Sequence, residues 1–227
     1  MLHGMIDCYR VRESIGGGRY SEVFRITDKV HCDFALKSYK SDFATKSKLP
    51  RVFVAETEAL RGLDHQNVVK LIRSIHADPH LYNVLELVDG RTMAQYVPEG
   101  VRMTEVEARH IFRQIFCAFQ YLHGQNRIHG DVTADNIMLT GGSGPDRLVK
   151  VIDFGQALVV EPAQPTEEDD LAAGGHKRRK RKRKPLVIET FARGKTKTGD
   201  IKRCGLLLAR AVTGSTDLIF KVGEVAV

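Results

Sequence analysis

The sequence predicts an α+β chain of two lobes, in which a β-rich lobe with one long helix precedes a mainly helical lobe. Residues 9–39 alternate apolar and polar side chains around a glycine turn, which is the pattern of β-strands. Residues 104–123 carry an apolar stripe at helical spacing, and residues 201–212 form a further apolar helical segment. Because strands dominate the first third and helices the remainder, two lobes are expected.

Each predicted element rests on a local pattern. Pro50 suits the first turn of a helix, and Thr104 with Glu107 forms a capping box at the start of the strongest helix. The buried stripe of that helix is predicted to be Ile111, Ile115, Ala118, Phe119 and Leu122. In chain order, we predict strands over 9–15, 22–26 and 34–37, a helix over 51–63, a strand over 81–88, a helix over 104–123, strands over 137–139 and 148–152, and a helix over 201–212.

Composition excludes several classes of protein. No apolar run approaches the roughly 20 residues that a membrane span needs, so no membrane association is expected. Residues 1–7 lack the basic and apolar regions of a secretory signal. The four cysteines are far apart and form no CxxC pair, which favours reduced thiols in an intracellular protein over a metal site.

One short tract accounts for the positive net charge. Eight consecutive basic residues, Lys177–Lys184, change the net charge from −1 to +7. A nucleic-acid-binding fold would spread its basic residues over a face, so a nucleic acid partner is not favoured. Followed by Pro185, the tract resembles a nuclear import signal, which predicts an import receptor as partner and a nuclear location. A solvated loop over about 161–190, or nonspecific binding to nucleic acid or acidic substrates, remains as an alternative.

A glycine-rich segment, residues 15–23, lies between two predicted strands. Glycines let the backbone approach phosphates closely, and their exposed N–H groups form a nest for anions. Val23 would then lie against a purine base. A plain hairpin turn explains the glycines equally well, and a Walker P-loop is excluded because no Gly-Lys-Ser/Thr follows.

A lysine and a glutamate follow this segment in the order that nucleotide binding requires. Lys37 ends the apolar strand of residues 34–37 and can reach the α- and β-phosphates of a nucleotide. Glu56, on the predicted helix, is the candidate partner that would hold the lysine by an ion pair. Either residue alone would be interpreted as a surface charge, but together they favour a phosphate site.

Two polar loops come after the strongest helix. His129-Gly130-Asp131 leads to Asn136, and Asp153-Phe154-Gly155 follows the strand over 148–152. Phosphoryl transfer needs a carboxylate at the attacking hydroxyl and oxygen ligands for Mg²⁺. Asp131 suits the first role, whereas Asn136 and Asp153 suit the second. Isolated aspartates in loops usually form turns, but this paired spacing is specific.

With these motifs in order, the chain resembles the protein kinase superfamily over residues 9–214. The resemblance implies a two-lobed kinase-like fold with a first lobe at 1–86, a hinge at 87–92 and a second lobe at 93–227. It implies Asp131 as catalytic base, Lys37 paired with Glu56, and Asn136 and Asp153 as Mg²⁺ ligands. It implies an ATP site formed by Ile15, Gly16, Gly18, Val23, Ala35, Lys37, Leu85, Glu86 and Val88. Asp200 would brace the backbone of the catalytic loop.

Several positions depart from the pattern of that family. Gly130 replaces an arginine that normally binds a phosphate on the activation loop, and Thr133 replaces a lysine that contacts the γ-phosphate. Asp135 stands where tyrosine kinases carry an arginine, so tyrosine specificity is not supported. The Ala-Pro-Glu motif is missing, and the chain ends 27 residues after Asp200, which predicts a shortened second lobe. These features resemble kinases of large DNA viruses, herpesviruses among them, for which the nucleus would be that of the host cell.

Three functions are therefore weighed. The first is a serine/threonine kinase that uses ATP and Mg²⁺ and acts on protein substrates. The second is a pseudokinase scaffold that binds ATP and partner proteins, motivated by Gly130 and Thr133. The third, a nucleic-acid-binding protein, explains the basic tract alone.

Overall fold

A computed structural model describes residues 4–40, 51–77, 80–142, 147–160 and 195–214. Its first lobe is a six-stranded antiparallel sheet in the order β1-β2-β3-β4-β6-β5. The strands are β1 (Met5–Ile6), β2 (Tyr9–Gly17), β3 (Ser21–Thr27), β4 (Asp33–Tyr39), β5 (Leu71–Ala77) and β6 (His80–Glu86). Helix α1 (Arg51–Leu60) contacts β5 and β6. Strands β1 and β5 were not predicted, and β6 ends at Glu86, two residues before the predicted end.

The strand β4 lies between β3 and β6, and this central position explains its burial. Ala35, Leu36, Lys37 and Tyr39 are all less than a tenth exposed. A lysine in such a strand must find acidic partners, because burying an unpaired charge is costly. The sheet thus places Lys37 where only a specific ion pair can keep it.

The second lobe contains helices α2 (Met93–Tyr96), α3 (Glu105–Gly124) and α4 (Lys197–Thr213). A three-stranded sheet is built from β7 (Gly90–Thr92), β9 (Ile137–Thr140) and β10 (Leu148–Val151). A short pair joins β8 (Arg127–Ile128) to β11 (Leu158–Val159). The residues 90–92 of the expected hinge therefore form a strand that pairs with β9.

The capping box of α3 is confirmed. The hydroxyl of Thr104 accepts from the N–H of Glu107 at 3.3 Å, and the Glu107 carboxylate accepts from the Thr104 N–H at 3.2 Å. The five predicted stripe residues of α3 are all buried. Helix α4 begins four residues earlier than predicted, because the Thr196 hydroxyl caps it by accepting from the N–H of Gly199.

Backbone hydrogen bonds between residues 67–69 and strand β10 join the two lobes. Val69 donates to the carbonyl of Val151 at 3.0 Å, and Val151 donates to the carbonyl of Asn67 at 2.9 Å. The buried side chain of Asn67 also donates to the carbonyl of Val149 at 2.8 Å. Strand β10, which leads to Asp153, is thereby held against the first lobe. The predicted α+β architecture of two lobes is confirmed.

Two expectations fall outside the described part of the chain. The loop over about 161–190 and its basic tract Lys177–Lys184 lie in residues 161–194, which are not among the described residues. Among the helices that are described, none has the length and apolar character needed to cross a membrane.

Candidate active site

The structure brings Lys37, Glu56 and Asp153 into direct contact. The Lys37 Nζ lies 3.0 Å from Glu56 Oε1, 2.9 Å from Glu56 Oε2 and 2.9 Å from Asp153 Oδ1. Strand β4, helix α1 and the segment after β10 each supply one of these residues. Lys37 is 5% exposed and Glu56 is fully buried, whereas the side chain of Asp153 is 47% exposed. The pairing expected from the sequence is therefore present, and one carboxylate of the group, that of Asp153, is exposed to solvent.

This contact sets the charge of Lys37 and of Asp153. Burial lowers the pKa of Lys37, but attraction to Glu56 and Asp153 outweighs it, so the pKa lies above its ordinary value. Burial raises the pKa of Asp153, but Lys37 and the N–H of Gly155 outweigh that effect and bring it below its ordinary value. At neutral pH the site therefore holds the Lys37 ammonium beside the ionised carboxylate of Asp153.

The segment Asp153–Gly155 is shaped by two unusual backbone requirements. Asp153 adopts a left-handed conformation with φ of +59°, which aspartate tolerates better than most residues. A Cβ on Gly155 would lie 2.7 Å from Cγ1 of Val52, so only glycine fits there without a shift. Phe154 is fully buried, and its N–H donates to Glu56 Oε1 at 3.2 Å.

Asn136 connects the catalytic loop to this segment. Its amide Nδ2 donates to the carbonyl of Asp131 at 2.8 Å and to Asp131 Oδ2 at 3.2 Å. The carbonyl of Asn136 accepts from the N–H of Ile152, the residue before Asp153, at 2.9 Å. Asp131 and Asn136 are half-buried, so both side chains remain accessible. The structure thus brings together the four polar residues to which the sequence assigned a chemical role. They are Lys37 for the phosphates, Asp131 for the proton, and Asn136 and Asp153 for the metal.

Asp200 holds the backbone of the same loop. It is 2% exposed, and its carboxylate accepts from the N–H of His129 at 2.9 Å and of Gly130 at 3.0 Å. His123 Nε2 lies 3.0 Å from the same carboxylate. Helix α4 therefore positions Asp200 to fix the residues that precede Asp131, as the family resemblance implied.

The role of His129 was not found from the sequence. Its Nδ1 accepts from the N–H of Asp131 at 3.3 Å, which places the ring proton on Nε2, and Nε2 donates to the carbonyl of Ile152 at 3.0 Å. The ring also packs against Phe154 with centroids 4.7 Å apart. The neutral imidazole therefore joins the Asp131 loop to the Asp153 segment. Only the position of His129 before Asp131 could have signalled this role.

We expect His129 to make stability depend on pH. Burial lowers its pKa below the ordinary value of 6.5, so below that pH the unfolded chain binds a proton that the folded chain does not. The free energy of unfolding should fall as pH decreases from 6.5, by up to about 1.4 kcal/mol per pH unit from this group. Urea unfolding at several pH values, compared with His129→Gln, measures it. Parallel curves for the two proteins would contradict the expectation.

Lys195 fills the space beside Gly130. Gly130 has φ of +77°, and a Cβ there would lie 2.7 Å from the carbonyl of Gln156 and 2.8 Å from Cδ of Lys195. The Lys195 ammonium donates to the backbone and side-chain oxygens of Gln156, both at 2.8 Å. Burial lowers the pKa of Lys195, an effect that Asp131 and Asp200 oppose. A cation therefore lies near Asp131 although the family's arginine is replaced by glycine.

Replacing Gly130 with alanine should destabilise the protein by about 1–3 kcal/mol, because the left-handed backbone is strained for alanine and the methyl group would meet a carbonyl. Gly124→Ala is the matched control, because a Cβ there meets nothing within 4 Å. Chemical denaturation of both variants measures the difference. Equal stability of the two variants would show that the left-handed backbone at position 130 does not require glycine.

The other residues expected to form the ATP site are brought together in part. Ala35 and Leu85 are buried, and Val23 and Val88 pack against the same hydrophobic cluster. Gly16 and Gly18 lie exposed in the β2–β3 hairpin, and Ile15 is 45% exposed and outside that cluster. The Glu86 side chain forms an ion pair with Lys150, in which Lys150 Nζ lies 2.6 Å from Glu86 Oε1. A contact of Glu86 with adenine would therefore have to use its backbone.

A family model described as the protein kinase domain matches residues 9–216. The chain therefore belongs to the protein kinase family, which implies use of ATP and, typically, of Mg²⁺. This match agrees with the site geometry, since the motif residues on β4, on α1 and in the two polar loops lie in the contacts described above.

Several curated kinases are similar to this chain. The probable serine/threonine-protein kinase fhkD of Dictyostelium discoideum is 32% identical over 155 residues, covering 67% of this chain and 21% of that protein. A probable myosin light chain kinase of the same organism is 32% identical over 154 residues, covering 67% of this chain and 44% of that protein. Sperm motility kinase 2B of Mus musculus is 35% identical over 111 residues, covering 49% of this chain and 22% of that protein.

These alignments cover less than half of each relative's own length. The relatives come from Dictyostelium and mouse, and they give no support to the predicted similarity to kinases of large DNA viruses. That similarity stays a prediction.

Proposed function

We propose that this chain is an active kinase that transfers the γ-phosphate of ATP, bound with Mg²⁺, to serine and threonine hydroxyls of proteins. One observation carries the proposal: the polar residues form a continuous set of contacts. Lys37 contacts Asp153 at 2.9 Å, the N–H of Ile152 contacts Asn136, and Asn136 contacts Asp131. Phosphoryl transfer depends mainly on positioning and on electrostatic stabilisation, and this set is suited to both.

Lys37 is proposed to bind the α- and β-phosphates, with Glu56 holding its ammonium in place. The rest of the ATP site is proposed to consist of Ile15, Gly16, Gly18, Val23, Ala35, Leu85, Glu86 and Val88. The backbone N–H groups of the glycine hairpin would face the phosphates, since a glycine there leaves no side chain between backbone and ligand.

Asp153 and Asn136 fit Mg²⁺ by their donor chemistry. Asp153 offers an ionised and partly exposed carboxylate, and Asn136 uses its amide nitrogen towards Asp131, which leaves the amide oxygen to bind a metal. Within the described residues no group of three or more His, Cys, Asp or Glu side chains is placed to hold a metal ion alone. Mg²⁺ is commonly bound by one or two carboxylates together with substrate phosphates, where it neutralises the developing charge.

Asp131 is proposed to accept the proton of the substrate hydroxyl. Its carboxylate is fixed by Asn136 and its backbone by His129, so it can meet an incoming hydroxyl without reorganising. Specificity for serine and threonine is supported by Asp135, which stands where tyrosine kinases carry an arginine, and by the name of one relative, a probable serine/threonine-protein kinase.

The test is a multiple-turnover assay with γ-radiolabelled ATP and Mg²⁺. Degenerate peptide libraries with a fixed serine or threonine, and separately a fixed tyrosine, serve as acceptors, and Asp131→Asn gives the blank. We expect the serine and threonine libraries alone to be labelled above the blank. Absence of any label above it would overturn the proposed activity, and label in the tyrosine library would overturn the specificity.

A pseudokinase scaffold is the second candidate, because Thr133 supplies no cation for the γ-phosphate. A scaffold of this kind would be stabilised by ATP with Mg²⁺, by about 2.7 kcal/mol at one hundred times the Kd, yet would transfer no phosphate. Thermal unfolding with nucleotide, measured beside the radiolabel assay, separates the two. Turnover that is lost in Lys37→Met excludes the scaffold.

We also propose that the tract Lys177–Lys184 binds an import receptor and directs the chain to the nucleus. The support is the clustering of eight basic residues in one run. Replacing those residues with alanine should move a fluorescent fusion out of the nucleus, whereas replacing Glu167, Glu168, Asp169 and Asp170 should not. Nuclear accumulation of the alanine variant would contradict the proposal.

A further inference from the structure

A buried polar network lies behind the contact between Lys37 and Glu56. Glu56 and Asn83 are fully buried, Tyr39 is 3% exposed and Thr57 is 7% exposed. Polar groups at such depth are costly unless every one of them is hydrogen-bonded. Their presence in the core of the first lobe therefore calls for a specific role.

The hydrogen bonds of this network all donate in the direction of the Glu56 carboxylate. Asn83 Oδ1 accepts from the hydroxyls of Thr57 at 3.1 Å and Ser74 at 2.7 Å, and Asn83 Nδ2 donates to the Tyr39 hydroxyl at 2.9 Å. The Tyr39 hydroxyl donates its proton to Glu56 Oε2. Because Asn83 occupies the acceptor side of the tyrosine hydroxyl, the only proton of that group is directed at the carboxylate.

The strand register explains why these residues meet. Lys37 and Tyr39 lie two residues apart on β4 and so point to the same face of the sheet. Asn83 on β6 is paired directly with Lys37. Glu56 and Thr57 are adjacent on α1. The helix is thus held to the sheet at two neighbouring positions, Glu56 through Tyr39 and Thr57 through Asn83.

The orientation of Glu56 matters because Lys37 has a second acidic partner. If Glu56 moved away, the ammonium would keep only Asp153, the carboxylate proposed to bind Mg²⁺. A lysine held at Asp153 would no longer bind the phosphates, and its positive charge would repel Mg²⁺ from that carboxylate. A hydrogen bond to a charged acceptor is among the stronger ones in proteins, so the Tyr39 hydroxyl is well suited to prevent this movement.

We propose that Tyr39 and Asn83 are positioning residues, which hold α1 and the Glu56 carboxylate in place so that Lys37 is set for ATP before the nucleotide binds. The kinetic part of this inference rests on the proposed kinase activity. The structural part, the fixing of α1, does not depend on activity.

The test uses Tyr39→Phe, which removes one hydroxyl and keeps the ring. Tyr82→Phe is the matched control, because Tyr82 is also buried in the first lobe but takes no part in this network. Without nucleotide, hydrogen exchange in α1 should become about three- to tenfold faster in Tyr39→Phe, as the loss of one such hydrogen bond implies, and stay unchanged in the control. Thr57→Val, which removes the second attachment, should act in the same direction.

The kinetic readout is the dependence of rate on ATP and on acceptor peptide. We expect kcat/KM for ATP to fall about three- to tenfold in Tyr39→Phe, with KM for the peptide unchanged. Unchanged exchange in α1 would overturn the inference, as would faster exchange throughout the chain, which indicates general destabilisation. If wild type transfers no phosphate, the proposed function fails, but exchange in α1 still decides whether Tyr39 positions Glu56.

Discussion

The Asp131→Asn protein should transfer phosphate about 10²–10⁴-fold more slowly than wild type, because an asparagine cannot accept the proton of the attacking hydroxyl. The substitution keeps the size of the side chain. Its amide oxygen can still accept from Asn136 Nδ2, which lies 3.2 Å from the carboxylate, so the loop should keep its conformation. The measurement is the initial rate of label transfer at saturating ATP and Mg²⁺.

The matched control is Asp135→Asn, which makes the same chemical change at an exposed position four residues further along. It should keep the wild-type rate within about twofold, since its side chain makes none of the contacts of the site. Thermal unfolding with and without ATP and Mg²⁺ should be the same for wild type and Asp131→Asn. A rate for Asp131→Asn above about a tenth of wild type would show that Asp131 is not the base.

The principal site residues could be found from the sequence because short-range geometry imposes their spacing. Asn136 must fold back to the carbonyl of Asp131, which a turn of five residues allows. The N–H of Gly155 donates to Oδ1 of Asp153, two residues earlier, at 3.1 Å. Such constraints act within a few residues and therefore leave a readable pattern. The capping box of α3 could be predicted for the same reason.

Contacts that join distant elements left no such pattern. Asn83 appears in the sequence as one polar residue in an apolar strand, and its partners Tyr39 and Thr57 come from two other elements. Lys195 lies 65 positions after Gly130, and nothing in either segment indicates that the lysine fills the space beside the glycine.

Strand β5 escaped prediction for a different reason. Its residues show no regular alternation of burial, because β5 lies at the edge of the sheet and only Ile75 in it is buried. Periodicity reveals a strand only when one of its faces is covered.

Replacing Asp200 with alanine should have the largest effect on folding, a loss of about 3–5 kcal/mol in the free energy of unfolding. Three donors, the N–H groups of His129 and Gly130 and the ring of His123, would lose their acceptor in a buried place. The stability of a whole domain is only about 5–15 kcal/mol, so a large share of the protein would unfold on mild warming. Urea unfolding by circular dichroism measures the loss.

Lys202→Ala, an exposed substitution on the same helix, should change stability by no more than about 0.5 kcal/mol. Activity separates anchoring from simple destabilisation. At low temperature, where the Asp200→Ala protein is still folded, its rate should remain far below wild type. The N–H groups of His129 and Gly130, which precede Asp131, have both lost the carboxylate that accepts from them. A folded Asp200→Ala protein with the full rate would mean that Asp131 is held by His129 and Asn136 alone, and that α4 only supports the lobe.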